Sequence, residues 1–195
     1  MITVTKRVIL RPLEESDRQQ FVLDNQRAFK FGAMEEFGRR DDHFEEGEEI
    51  ISAKTINDSI DRKNAETYRI ICDGRKVGGI VLSIDKRKRR GDLELLFVSP
   101  EEHSKGIGYA AWCAVEEMHP EIRVWETCTP YFETRNIHFY VNRCGFHIVE
   151  FFNRFHPDPH DPETGEENRY DGEDEENDGM FRFEKRMKKR PCVSK

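Results

Sequence analysis

A strand-like run ending at Val98, a proline turn, a basic glycine-rich corner and a strongly periodic helix follow without a break between Leu93 and Met118. No other feature limits the fold of this chain as much. The amides at a helix start lack intrahelical acceptors, and the helix dipole adds partial positive charge there. Gly106 and Gly108 let an anionic group approach the backbone without meeting a Cβ atom. Ser104 and Lys105 add a hydroxyl and a cation to the same corner. The segment therefore reads as a strand delivered into a phosphate-accepting helix start.

Other phosphate-binding patterns fit less well. The chain has no phosphate loop ending in Gly-Lys-Ser or Gly-Lys-Thr. A dinucleotide-binding corner would want a third glycine where Ala111 stands, and an acidic residue closing a second strand about twenty residues on is missing. Val98, Pro100, Lys105, Gly106, Ile107 and Gly108 stand in the register of the acyl-CoA signature of the GNAT superfamily of N-acetyltransferases, which the segment resembles. It departs at His103, where that family usually carries Arg or Gln.

The chain of 195 residues suits a single domain over residues 1–190, with an acidic excursion at about 156–179 and a short tail at 191–195. Its net charge of −7 is local in origin. Eleven acidic residues and one arginine between Asp158 and Asp178 carry −10, which leaves the rest of the chain at +3. A mildly basic body suits a domain that handles a polyanionic ligand. The acidic block holds too few apolar residues to build a core and reads as a mobile excursion. Five scattered cysteines without C-x-x-C spacing predict neither a disulfide framework nor a zinc site. Pro157 and Pro159 prevent His156 and His160 from sharing a helix face, so no metal is expected. The opening residues hold no apolar leader, and no run is long enough to span a bilayer, so a cytoplasmic location without membrane partners is expected. Lys86–Arg90 lacks interleaved aromatics and reads as a solvated turn, not a nucleic-acid contact.

Periodicity gives the elements in order. Thr3–Leu10 alternates as a strand, and Ser16 with Gln19 forms a capping-box pattern opening a helix to about Phe29. Phe31–His43 reads as a loop, and Glu45–Arg62 as a second helix. Thr67–Cys72 and Lys76–Asp85 read as strands joined by the hairpin pair Asp73-Gly74. Leu93–Val98 is the next strand. Ile107, Ala110, Ala111, Ala114, Val115 and Met118 then form the apolar stripe of a helix over Gly106–Met118. Val124–Thr129 is a strand, Thr134–Cys144 a helix closed by Gly145, and Phe146–Phe155 and Met180–Met187 are the last two strands. The order β-α-α-β-β-β-α-β-α-β-β is an α/β (α+β) mixture, a largely antiparallel sheet flanked by about four helices. The GNAT fold is similar in order.

The candidate base is a carboxylate. Asp92 and Glu94 are two apart on the strand that enters the corner, and strict alternation puts them on one face with Leu96 and Val98. A carboxylate beside a cleft can take the proton of an amine, and partial burial would bring its pKa toward the working range. Glu94 is preferred, being closer to where an acyl group would lie, with Asp92 as the alternative.

The resemblance implies acetyl-CoA as cosubstrate, with the pantetheine arm along the backbone of Phe97, Val98 and Ser99 and a backbone N–H near Val98 facing the thioester oxygen. It implies pyrophosphate contacts from His103, Ser104, Lys105, Gly106, Ile107, Gly108 and Tyr109. A second segment resembles the family's later motif through Phe139-Tyr140 and Gly145-Phe146. There the Tyr-to-Gly spacing is one residue longer than in the family, and Glu133 stands where the motif has Asn. The resemblance makes Tyr140 a candidate acid for the leaving thiolate or a wall of the CoA channel, and Asn136 the replacement amide. The implied activity is transfer of an acetyl group to a primary amine by direct attack in a ternary complex, because no residue stands out as a covalent nucleophile. A protein α-amine or lysine is the alternative acceptor, a non-catalytic acyl-CoA-binding module is the alternative of another class, and a homodimer is allowed.

Overall fold

The computed structural model describes residues 8–37, 50–159 and 179–188. The expected strand start at Thr3, the loop beyond Phe37, the helix start at Glu45, His160, most of the acidic block and the 191–195 tail lie outside the described residues. The element order is as expected, with seven strands and four α-helices among the described residues. Two compact units divide the chain: Met1–Trp125 with Met187–Lys195, and Glu126–Arg186.

In the first unit, β1 (Val8–Pro12), β2 (Ala65–Cys72), β3 (Arg75–Asp85) and β4 (Arg90–Val98) pair successively as an antiparallel meander. Asp73 and Gly74 both take positive φ, 51° and 75°, which gives the β2–β3 hairpin the tight turn that matches strand twist. At the other end of β3, the Lys88 amide donates to Asp85 Oδ1 at 2.9 Å and Arg89 turns through φ 56°.

Two helices cover one face. A 3₁₀ turn (Glu15–Asp17) leads into α1 (Arg18–Phe37), and Ser52 caps α2 (Ala53–Ile60) by accepting from the Thr55 amide at 3.0 Å. Ser16 lies inside the 3₁₀ turn and caps nothing, so the capping-box reading fails. The helix also runs through Phe31–Phe37, where a loop was expected. Phe21, Val22, Ala28 and Ile56 pack there against Val81, Leu95 and Phe97 of the sheet. The rings of Phe21 and Phe97 meet edge to face over Gly79, where a Cβ would lie only 2.2 Å from Phe21.

The opposite face carries α3 (Ile107–Met118), which buries Ile107, Ala111, Trp112 and Val115. The stripe is rotated slightly from expectation: Trp112 is buried and Met118 is exposed. Trp112 packs edge to face on Trp125, and the Trp125 ring fills the place of a Cβ at Gly91.

One irregularity resets the sheet. Val81 pairs with Leu95 and Leu82 with Leu93, so Glu94 has no partner on β3. It is the extra residue of a β-bulge. Opposed residues share a face, so Asp92, opposite Ser83, lies on the side of Val81 and Leu95, while Leu96, opposite Ile80, lies on the other. The expected common face of Asp92, Leu96 and Val98 is thus wrong, because one inserted residue inverts the alternation.

In the second unit, β5 (Val124–Pro130) enters from the first, followed by α4 (Thr134–His138), a π-helical turn (Phe139–Cys144), β6 (His147–Phe152) and β7 (Met180–Arg186). β6 and β7 pair antiparallel. Tyr140, Cys144, Phe146, Phe152 and Phe183 are buried. Gly145 takes φ 77°, and the Phe146 amide closes the turn on the Tyr140 carbonyl at 2.9 Å. The residue by which the Tyr-to-Gly spacing exceeds the family motif falls in this wider turn.

Candidate functional site

The corner between β4 and α3 is built almost entirely from backbone. The Ser99 amide donates to the Val77 carbonyl at 2.8 Å, fixing the strand end to β3. A 3₁₀ turn, Pro100–Glu102, follows, closed by the Glu102 amide on the Ser99 carbonyl at 2.9 Å. Ser104 and Gly106 then take left-handed φ values of 61° and 75°. The first bond of α3 runs from the Ala110 amide to the Gly106 carbonyl at 3.0 Å, so the amides of Ile107 and Gly108 precede the ladder and have no acceptor within the helix. A Cβ on Gly106 would meet nothing within 4 Å. The corner is a cradle with open space before it, held in a conformation that L side chains avoid, and it suits an anionic group.

The side chains around the cradle are mostly engaged with one another. Lys105 Nζ donates to the Glu101 carbonyl at 2.8 Å and to Glu102 Oε2 at 3.1 Å. Glu102 is buried and also receives Arg75 Nη2 at 2.9 Å. The hydrogen bond from Lys105, followed by that from Arg75, holds the Glu102 carboxyl below its usual range against the effect of burial. Lys105 is thus folded onto its own loop. Ser104 and Tyr109 are exposed, and Ile107 is buried beneath the corner.

His103 turns inward. Its Nε2 lies 2.8 Å from the Val98 carbonyl, which can only accept, so Nε2 carries the proton. Nδ1 is buried without a hydrogen-bond partner among the described residues. The Phe31 ring meets the imidazole edge to face at 5.4 Å. The residue that departs from the family pattern therefore braces the end of β4. The sequence flags the position but not this contact, which depends on α1 reaching Phe31.

Glu94 lies four residues before Val98 on the same strand. Its side chain is 16% exposed, and Arg62 Nη1 donates to Oε1 at 2.6 Å. The other carboxylate oxygen has no hydrogen-bond partner among the described residues. Burial raises the Glu94 pKa, and the Arg62 charge and hydrogen bond offset this only in part. Asp92, two residues back, is partly buried and makes interactions of its own. Sequence reasoning missed Arg62 because nothing in the α2–β2 connection marks one arginine among several.

Tyr140 and Asn136 belong to the second unit. The Tyr140 hydroxyl is buried and hydrogen-bonded to Thr127, and its ring packs between Phe146 and Phe183. Burial pushes its pKa well above the usual phenol value. The Asn136 amide donates to Glu133 Oε2, which also accepts from Thr129 Oγ1 at 3.0 Å. Glu133 and Asn136, which the sequence treats as rivals for one amide position, act as a pair.

No helix among the described residues is long and apolar enough to cross a membrane. The family model for the GNAT acetyltransferase family matches residues 27–146. The uncharacterized protein YrkN of Bacillus subtilis (strain 168) is 44% identical over 184 residues, covering 94% of this chain and 96% of that protein. Among solved structures, the ribosomal-protein-S18-alanine N-acetyltransferase of Escherichia coli is similar at a TM-score of 0.63 and 12% identity, covering 97% of this chain and 99% of that one. The PaiA N-acetyltransferase of Thermoplasma acidophilum, solved in complex with coenzyme A, is similar at a TM-score of 0.62 and 16% identity, covering 93% and 99%. A GNAT acetyltransferase of Elizabethkingia anophelis with acetyl-CoA bound gives 0.60 and 13%, covering 94% and 100%. These neighbours share the fold, and the family match spans more than half of the sequence. The chain belongs to the acetyltransferase (GNAT) family.

Proposed function

We propose that this protein transfers an acetyl group from acetyl-CoA to a primary amine, by direct attack of the amine in a ternary complex. The observation that carries the reading is the Glu94 carboxylate, largely shielded and with one oxygen unpartnered among the described residues, on the strand that runs into the Gly106 corner. In the first unit, the amides at the start of α3 and the open Gly106 cradle suit a pyrophosphate, with Ser104 and Tyr109 exposed at its rim. The backbone of Phe97, Val98 and Ser99 takes the pantetheine arm in this reading.

When bound, acetyl-CoA supplies a thioester whose acetyl carbon accepts the amine lone pair while the C–S bond breaks. An ammonium has no lone pair, so its proton must leave first, and Glu94 takes it. As the amide forms, the nitrogen sheds its second proton and the departing sulfur gains one, carried in this assignment by Tyr140 of the second unit, whose raised pKa keeps it protonated through the neutral range. Asn136 serves the cofactor in the same assignment. A protein α-amine or lysine is the rival acceptor. A CoA-binding module without turnover is the rival class, and it would leave Glu94 and Tyr140 unused.

A thiol-release assay with acetyl-CoA against a panel of small amines and amine-terminated peptides tests turnover, and calorimetry with CoA tests binding. Thiol release that depends on a primary amine is the expected result. Tight CoA binding without acetylation of any amine would overturn the enzymatic reading in favour of the binding module.

A further inference from the structure

We infer that Arg62 is a positioning residue for Glu94, pinning one carboxylate oxygen so that the other faces the acceptor amine. The inference rests on the reading of Glu94 as the base.

Three observations carry it. The first is the backbone at Glu94. A bulge residue has no partner across the ladder, so the opposing strand does less to set its orientation than it does for a paired residue. A base placed there needs something else to hold its direction, and Arg62 supplies a 2.6 Å charge-assisted hydrogen bond to Oε1 alone. A fork that took both oxygens would leave none for the proton.

The second is how firmly Arg62 itself is held. The Arg18 guanidinium grips Asp61 through two hydrogen bonds and donates to Asn57 Oδ1 at 2.8 Å, which ties the end of α2 to the start of α1. The Ala65 amide donates to the Arg62 carbonyl at 2.9 Å, and the Ile84 amide to the Asn64 carbonyl at 2.9 Å. The residues on either side of Arg62 are therefore anchored to α1, β2 and β3, so the guanidinium starts from a fixed point.

The third is asymmetry of exposure. The Arg62 side chain is 56% exposed and that of Glu94 16%. A pair open to solvent on its cationic side adds little to stability, so fold maintenance is a weak account of it. It does act on the carboxylate. Among the described residues, Arg62 is the charged group that bears on Glu94; β3 opposes the bulge with Val81 and Leu82, which do not titrate, and Asp92 stands two residues back on the same strand.

The test uses kcat/KM against pH for the full chain and for Arg62→Gln, Arg62→Lys and Glu94→Gln, with acetyl-CoA and the best amine from the panel. Removing the cation favours protonated Glu94, so the acid limb in Arg62→Gln should move up by about one pH unit, a loss of roughly tenfold below the limb. Arg62→Lys keeps the charge and should keep the limb. Glu94→Gln should lack the limb altogether. An Arg62→Gln profile superimposable on that of the native protein, with the limb lost in Glu94→Gln, would overturn the role of Arg62 and leave the base standing. A native limb retained in Glu94→Gln would instead remove Glu94 as base, and the inference with it.

Discussion

His103 Nε2 donates to the Val98 carbonyl at 2.8 Å, joining the loop before α3 to the last residue of β4. The bond, together with the Phe31 ring, fixes the strand end that the proposed pantetheine contacts depend on. His103→Ala should lower stability by about 1 kcal/mol and weaken CoA binding, read by denaturant unfolding and calorimetry. A variant that is destabilised yet binds CoA with native affinity would confine His103 to a structural part.

Gly106 is held at φ 75° with open space where a Cβ would project. Gly106→Ala should cost about 1–2 kcal/mol from the left-handed backbone alone. Gly106→Glu adds an anion to the cradle and should abolish CoA binding. Calorimetry on both, with circular dichroism to check the fold, decides; native affinity in the Glu variant would refute the cradle assignment.

Glu94 makes opposite demands on activity and stability. Burial raises its pKa in the fold, and Arg62 offsets this only partly. The fold therefore favours the protonated form, a contribution fully present below the unfolded value of about 4.3 and lost as pH rises through the folded value. Glu94→Gln, neutral at every pH, should melt above the native protein at neutral pH, with the difference shrinking toward pH 4. Its kcat/KM should fall by about a hundredfold or more. Thermal melts across pH, beside the rate profile, measure both; a Tm below native at neutral pH would show that the ion pair outweighs the burial penalty.

Arg69 is only 3% exposed and serves Asp17 and Asp24 while its guanidinium lies 5.0 Å from the Phe21 ring centre. Burial would raise the Asp17 pKa, but hydrogen bonds from Arg69 and Lys76 lower it overall. Its contribution is present above the unfolded value of about 3.9 and lost as pH falls through the folded one. Arg69→Met should cost about 3 kcal/mol at neutral pH, and less at pH 3. Urea unfolding at the two pH values checks this; an equal loss at both would mean that packing on Phe21, not charge, is what Arg69 provides.

Tyr140→Phe removes one hydroxyl from a packed aromatic cluster and its bond to Thr127. Stability should fall by about 1 kcal/mol. If the proton-donor assignment holds, kcat should fall by about a hundredfold with KM for the amine little changed. Native kcat would reduce Tyr140 to a packing residue.

Local pattern carried the sequence reading where local pattern decides structure. Asp73-Gly74 marked its hairpin, the 3- and 4-spaced apolar residues after Gly106 marked α3, and Gly145 marked its cap. Phe31 misled because aromatic and glycine-rich composition resembles a loop, whereas α1 continues far enough to seat that ring on His103. Asp92, Glu94, Leu96 and Val98 misled more deeply. Their spacing is an unbroken alternation, and only pairing with β3 shows that one of them is surplus. Arg62 was invisible for a related reason, since its meaning comes from a carboxylate 32 positions away. The spacing anomaly before Gly145 was legible as an anomaly, and the π turn is its physical form.

The surplus residue in β4 leaves both halves of the strand in phase with β3. Upstream of it, Gly91 faces Trp125 and Leu93 opposes Leu82; downstream, Leu95 and Phe97 face the α1–α2 layer. Deleting Glu94 would bring Leu93 next to Leu95, and ordinary alternation would then keep Leu93 opposite Leu82 and Gly91 against the Trp125 indole while removing the carboxylate. The proposed base is thus an addition to a ladder that is complete without it, and a chain that lost it by deletion would forfeit the chemistry while keeping both hydrophobic layers as they are packed.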